Sequence, residues 1–438
     1  MKIELAKKSK ACLRLSALPA LAFAAAFGAA QAQTVFTNVH VVTTDGRGVI
    51  EDQTVAVEGD RITAVSGAAA IPDGATVIDG AGRYLTPGLA EMHGHIPPLS
   101  AGDDAVNDTL FLYVSNGVTT VRGMLGSEGQ LSLREDALEG RRLSPTLYLA
   151  GPSFNGNSIS SPAQAAERVR QHKAEGWDLL KIHPGLTLAE YNAIDETADE
   201  VGIDFGGHVP QAVGVMRALE ARQRTIDHLD GYIAYLNGED RPVADDALRR
   251  VARATRDAGV GVVPTSSLWA TIIGAADLDE LMERDELRYM PAQTVENWRR
   301  NVAGRSTADP AHNENRRRLL KAMADEGVEI LFGTDAPQIF SVPGFSIHHE
   351  IAEMRAAGLT PAQILHSATG AVGAYFADKD RFGAIEPGHR ADFLLTAGNP
   401  LEDLEALREP DGVMLRGRWL DREEIDRRLA EVAARARR

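Results

Sequence analysis

Eight short apolar runs, each parted from the next by a stretch of mixed polarity, constrain this chain more than any other feature. The runs are Leu89–Met92, Thr119–Arg122, Thr146–Ala150, Asp178–Ile182, Asp204–His208, Thr225–His228, Gly261–Pro264 and Glu329–Asp335. Between them, Ser161–Gly176 is built as a capped helix: Ser161 can cap it, Pro162 sits in its first turn and Gly176 follows its end. Asp245–Gly259 and Asn313–Gly327 have the same build. Strand and helix alternating eight times predict an α/β fold, a (β/α)8 TIM-like barrel over residues 89–381. A doubly wound open sheet is the rival, but no Gly-rich phosphate loop follows any early strand.

On either side of the barrel the texture is different. Thr34–Val42, Thr54–Val57 and Arg61–Val65 show period-two apolar spacing around a Glu58-Gly59-Asp60 turn, and Gly383–Ile385, Ala391–Thr396 and Gly412–Leu420 repeat it near the other end. Each half is too small to stand alone, so residues 33–88 and 382–438 are expected to pair into one composite β-sandwich, closed by a charged helix from about Asp421 to Arg438. The one long connection, Thr265–Asn313, carries Trp269, Tyr289 and Trp298 and reads as a lid or as a surface excursion.

Residues 1–32 read as a secretory leader. Lys2, Lys7, Lys8, Lys10 and Arg14 precede the uncharged run Leu15–Ala30, which closes on Ala30-Gln31-Ala32. The run is too short, and too interrupted by Pro19, for a spanning helix, so no membrane anchor is expected after cleavage. Cys12, the only cysteine in 438 residues, lies in this leader. A cysteine-free remainder suits the periplasm or the extracellular space. It also excludes disulfide scaffolds and thiolate metal sites. With 46 Lys plus Arg against 62 Asp plus Glu, the net charge of -16 argues against nucleic-acid partners. The expected partner is a small-molecule substrate, with a homo-oligomer left open.

The chemistry sits at the ends of the runs. The first ends in Glu91-Met92-His93-Gly94-His95, where period two puts both imidazoles on one face. The fourth carries Lys181 and His183, the fifth His208, the sixth His228 and the eighth Asp335. A lone strand-end histidine is usually structural. His93, His95, His208 and His228 with Asp335, all at the barrel end where active sites are built, are much harder to read that way. Histidine, carboxylate and water suit zinc or manganese and leave room for a reactive water.

At this point the chain resembles the amidohydrolase superfamily, in its prolidase-like and imidazolonepropionase-like branch, which includes ochratoxin hydrolases. The resemblance rests on Leu85-Thr86-Pro87-Gly88-Leu89-Ala90-Glu91-Met92-His93-Gly94-His95, on Gly333-Thr334-Asp335 and on the segment Gly383 to Asp392. It implies two divalent metals, zinc foremost. His93, His95 and Asp335 would hold one, and His208 and His228 the other. Lys181 would bridge them as a carbamate, since an ammonium beside two dications is repelled; a solvent-facing strand-end lysine is the alternative. The implied reaction is hydrolysis of carboxamide bonds, of the peptide or N-acyl amino acid type, by a metal-activated water, with Asp335 shuttling the proton.

Substrate recognition is less legible. Tyr232 could donate to the oxyanion or simply be a packed tyrosine, and Arg122 could hold a substrate carboxylate or form a structural ion pair. His183 is placed behind the ligands, and His348 and His349 are read as substrate contacts or as part of a helix start. His40, His172, His312, His366 and His389 lie away from the strand ends. Three other readings stand beside the first: a mononuclear deaminase or cyclic-amide hydrolase with Lys181 a bystander, an esterase or lactonase at the same site, and a non-catalytic periplasmic metal-binding protein.

Overall fold

The computed structural model describes residues 33–67 and 70–438. The leader expected over residues 1–32 lies outside the described residues. Four strands open the described chain: β1 (Gln33–Val42), β2 (Val49–Glu58), β3 (Arg61–Ser66) and β4 (Thr76–Pro87). Seven short parallel strands follow: β5 (Leu89–Gly94), β6 (Val118–Gly123), β7 (Thr146–Leu149), β8 (Leu179–Ile182), β9 (Asp204–Gly207), β10 (Thr225–Asp227) and β11 (Gly261–Val263). Near the other end come β12 (Phe393–Thr396), β13 (Gly412–Leu415) and β14 (Arg418–Asp421), then the helix Arg422–Ala436.

Backbone hydrogen bonds join β5 to β11 into a ring. β5, β6 and β7 form one ladder, and β8, β9, β10 and β11 another. Between the two, Asp178 N donates to Leu149 O and Phe154 N to Lys181 O. The eighth run forms no regular strand. Its backbone is held point by point: Leu331 N donates to Val262 O on one side, and Met92 N donates to Phe332 O on the other. Farther along, the Glu91 carboxylate takes the place of a ladder partner and accepts from Thr334 N at 2.8 Å. Gly333 is required there, because a Cβ would lie 2.9 Å from His93 N. Helices pack outside the ring, so every residue of β5, β6, β7 and β8 is buried.

The two flanking segments pair into one seven-stranded sheet ordered β14-β13-β12-β4-β1-β2-β3. The sheet curls over its own core. Phe36 on β1 and Trp419 on β14, four places apart in the order, meet edge-on at 5.0 Å between ring centres. Strand β4, which the sequence reading missed, joins the halves. Gly80, Ala81 and Gly82 break its apolar alternation, and the backbone bulges there, with positive φ at Ala81 and Gly82.

Helix ends fall where capping chemistry sets them. Ser161 Oγ accepts from Gln164 N at the start of the helix Pro162–Glu175, and Gly176 adopts the left-handed conformation past its end. Asp309 caps the helix Pro310–Glu326 in the same way. Among the described residues no helix is long and apolar enough to cross a membrane.

Candidate metal centre

Short strands pointing the same way bring their C-terminal residues to one rim, and six of the side chains singled out above meet there. His93, His95 and Asp335 offer ligand atoms that all lie within 4.8 Å of one another. His95 Nε2 is 2.6 Å from Asp335 Oδ1, and His93 Nε2 is 3.7 Å from the same oxygen. His228 Nε2 faces Asp335 Oδ2 at 3.8 Å. Lys181 Nζ is 2.8 Å from His93 Nε2. The His228 ring centre lies 4.4 Å from that of His93 and 4.5 Å from that of His208. His228 and Asp335 both take φ of 65°, a conformation unusual for such residues and one that recurs at functional sites. Gly207 leaves room for the lysine, since a Cβ there would come within 2.9 Å of Lys181 Cδ.

The partners behind the histidines decide what the cluster can hold. His208 Nδ1 lies 2.5 Å from Asp230 Oδ2, His228 Nδ1 lies 2.8 Å from Thr265 Oγ1, and His93 Nδ1 lies 2.7 Å from Asp227 Oδ2. With Nδ1 of His208 and of His228 hydrogen-bonded, Nε2 of each is left to face the cluster, the usual arrangement of metal-binding histidines, while His93 Nδ1 faces Asp227 without an aligned hydrogen bond. The buried His228 Nε2, which faces Asp335 across the cluster, has no hydrogen-bond partner, so its lone pair is free for a metal. Burial holds His93 and His228 well below the usual imidazole range, so both are neutral and can offer lone pairs. Burial would raise Asp335, but the hydrogen-bonded His95 and the nearby Lys181 act against it, and the carboxyl lies down at about 2. Burial also lowers Lys181, to about 8. This donor set of imidazole, carboxylate and amine fits divalent zinc or manganese.

Asp227, Asp230, Thr265 and Glu91 are functional neighbours that the sequence reading did not single out. The run Asp227-His228-Leu229-Asp230 held a signal for two of them, a histidine with carboxylates close on both sides. Fully buried Glu91 accepts from His93 N at 2.9 Å and from Thr334 Oγ1 at 2.6 Å, tying the first run to the eighth. Burial pushes its carboxyl up to about 8.

Two candidates are corrected. Arg122 is fully buried inside the barrel, where it donates to Met92 O, Thr225 Oγ1, Tyr375 Oη and both Asp227 oxygens, leaving no fork for a substrate. Tyr232 is also fully buried and shares a hydrogen bond with Thr255 Oγ1 at 2.9 Å, among apolar neighbours away from the cluster. Neither can touch a substrate.

The remaining candidates divide. His183 lies half-buried beside His208, 5.0 Å between ring centres. His348 and His349 belong to the helix Ser346–Ala356, and His349 is 2.6 Å from Glu286. In the long connection, Tyr289 stacks on Phe345 and Trp298 packs near Phe340. Trp269 alone of its aromatic residues named above reaches the site, 6.2 Å from the His228 ring and under the guanidinium of Arg316 at 4.7 Å. Two large clefts, of about 750 and 730 Å³, lie elsewhere and contain none of the donors.

Barrel and rim together define a TIM-barrel protein with a metal-type donor cluster at the C-terminal ends of its strands. A model of the Amidohydrolase family matches residues 84–420, and the chain belongs to that family. Among curated relatives it is 23% identical to adenine deaminase 3 of Rhizobium meliloti (strain 1021) across 90% of the chain. That match spans 59% of the deaminase's own length. It is 25% identical to imidazolonepropionase of Streptomyces griseus subsp. griseus, over 80% of the chain and 86% of that protein. Among solved structures, bottromycin amidohydrolase superposes with a TM-score of 0.73 at 25% identity, covering 92% of this chain and 90% of that one. A Xaa-Pro dipeptidase with bound methionine superposes at 0.67 and 21% identity, covering 89% and 100%.

Proposed function

We propose that this chain is a metal-dependent amidohydrolase cleaving carboxamide bonds of the peptide or N-acyl amino acid type in small molecules. It would use two divalent metals, zinc foremost, and a carboxylated Lys181. The observation that carries the reading is the convergence of His93, His95, His208, His228, Lys181 and Asp335 on one rim. The likeness to bottromycin amidohydrolase supports the bond type.

Bound metals would supply carbonyl polarisation and a water of lowered pKa. The protein's own part follows from its contacts. Asp230 and Thr265 fix the ring orientations of His208 and His228, and Asp227 faces His93 Nδ1 at 2.7 Å. Asp335, ionised and close to three of the imidazoles, is placed to take a proton from water and return it to the leaving nitrogen. Lys181, buried and lowered to about 8, holds an appreciable neutral fraction, the form that combines with carbon dioxide. The carbamate's negative charge would then sit beside His93, where an ammonium would oppose metal binding. Export to the periplasm or beyond is part of the proposal and rests on the charge and apolar pattern of residues 1–32.

Asp335→Asn tests the reading. The metal-loaded variant should stay folded while turnover of a dipeptide and N-acyl amino acid library falls by about 10³-fold or more. An active, metal-loaded Asp335→Asn enzyme contradicts the assignment. A mononuclear deaminase or cyclic-amide hydrolase is the second reading, favoured by the tightness of the His93, His95 and Asp335 group.

A further inference from the structure

Three arginines are deeply buried among the described residues: Arg122, Arg316 and Arg390. Arg122 pairs with Asp227 at 3.2 Å, and Arg390 pairs with Asp392 and Asp380 at 2.5 and 2.8 Å. Arg316, only 5% exposed, has no carboxylate within ion-pair distance among the described residues. Its one hydrogen bond runs from Nη2 to His228 O at 2.8 Å, so Nε and Nη1 have no protein acceptor. The nearest acidic groups are committed elsewhere. Asp230 is bound to His208, and Glu350 accepts from Ser266 N and Ser267 N. Proteins seldom leave a buried guanidinium without an anion, because the desolvation is uncompensated.

Its location says where the anion comes from. The bond to the backbone of His228 holds the guanidinium beside the metal-type cluster, and it lies over the Trp269 ring at 4.7 Å. A guanidinium fork matches a carboxylate in shape as well as charge.

We propose that Arg316 binds a carboxylate of the substrate, which makes the substrate an N-acyl amino acid or dipeptide with its free carboxylate on the carbon next to the scissile nitrogen. The proposal rests on the hydrolase reading and gives Arg316 the role that Arg122 cannot fill.

The test uses the metal-loaded full chain with a panel of N-acetyl amino acids and their C-terminal carboxamide twins, following acetate release. Wild type should prefer the acids. Arg316→Met should lower kcat/KM on the acids by about 10²-fold, through KM, while changing the carboxamides less than about twofold. Metal content should be unchanged and the unfolding midpoint no lower than that of wild type. Arg316→Lys, which keeps the charge without the fork, should recover part of the loss and serves if the Met variant fails to fold. A wild type indifferent to the carboxylate overturns the proposal, as does an equal loss on both twins, the mark of a mere support for His228. Should wild type cleave neither series, the hydrolase reading falls, and calorimetric binding of the same acids decides about Arg316 separately. Acids bound by wild type and not by Arg316→Met uphold it, and acids bound by neither or equally by both overturn it.

Discussion

Arg122 and Asp227 form a closed pair in the barrel interior, and Asp227 also faces His93 Nδ1 at 2.7 Å. Arg122→Met strips a fully buried carboxylate of its cation, so the variant should lose about 3–5 kcal/mol of stability, read as a lower urea midpoint. A near-neutral change would mean that Asp227 does not need the pair. At this scale the meeting of His93, His95, Lys181, His208, His228 and Asp335 on one rim was legible, because a barrel brings the C-terminal ends of its runs to one side and each of the six lies at or next to the end of a run. Arg316 was not. It opens the run Arg316-Arg317-Arg318, which reads as a solvated face of a helix. Arg317 and Arg318 do pair on that face, with Glu353 and Asp245, and only the three-dimensional phase of the helix turns Arg316 inward. Tyr232 shows the converse. Four residues past His228 in sequence, it has already turned into a helix, Tyr232–Tyr235, that points its hydroxyl at Thr255.

Elements were legible where capping and periodicity agreed, as in the helix Pro162–Glu175, and illegible where tertiary contacts replace the local rule. The eighth run keeps its place through the Glu91 side chain instead of a ladder, and β4 is interrupted by its bulge. The helix Pro162–Glu175 also carries a pH dependence. Burial takes His172, which packs against Phe154, from 6.5 down to about 4. A histidine lowered in the folded state contributes stability that is present above its unfolded value and lost as pH falls through the folded one. Between pH 6.5 and 4, wild type should therefore lose on the order of 2 kcal/mol that His172→Leu does not lose. Urea midpoints measured across that range check it, and parallel declines in the two proteins would count against it.

For the whole molecule, alternation of strand and helix foretold the barrel, and the two half-sheets foretold their union. What the sequence did not reveal was that the union is one curled sheet, because strand order depends on β4 lying between partners distant in the chain, β1 on one side and β12 on the other. From Pro87 the chain passes through Gly88 directly into β5, so this sheet leads straight into the strand that presents His93 and His95. The proposed function needs two metals on this rim, with a carboxylated Lys181 among the groups that would hold them. Metal content per chain, measured on wild type and on Lys181→Ala after reconstitution with zinc, tests it most directly. About two per chain are expected in wild type, falling to about one or fewer in the variant. About one per chain in both proteins, or no stoichiometric metal in wild type, would contradict it.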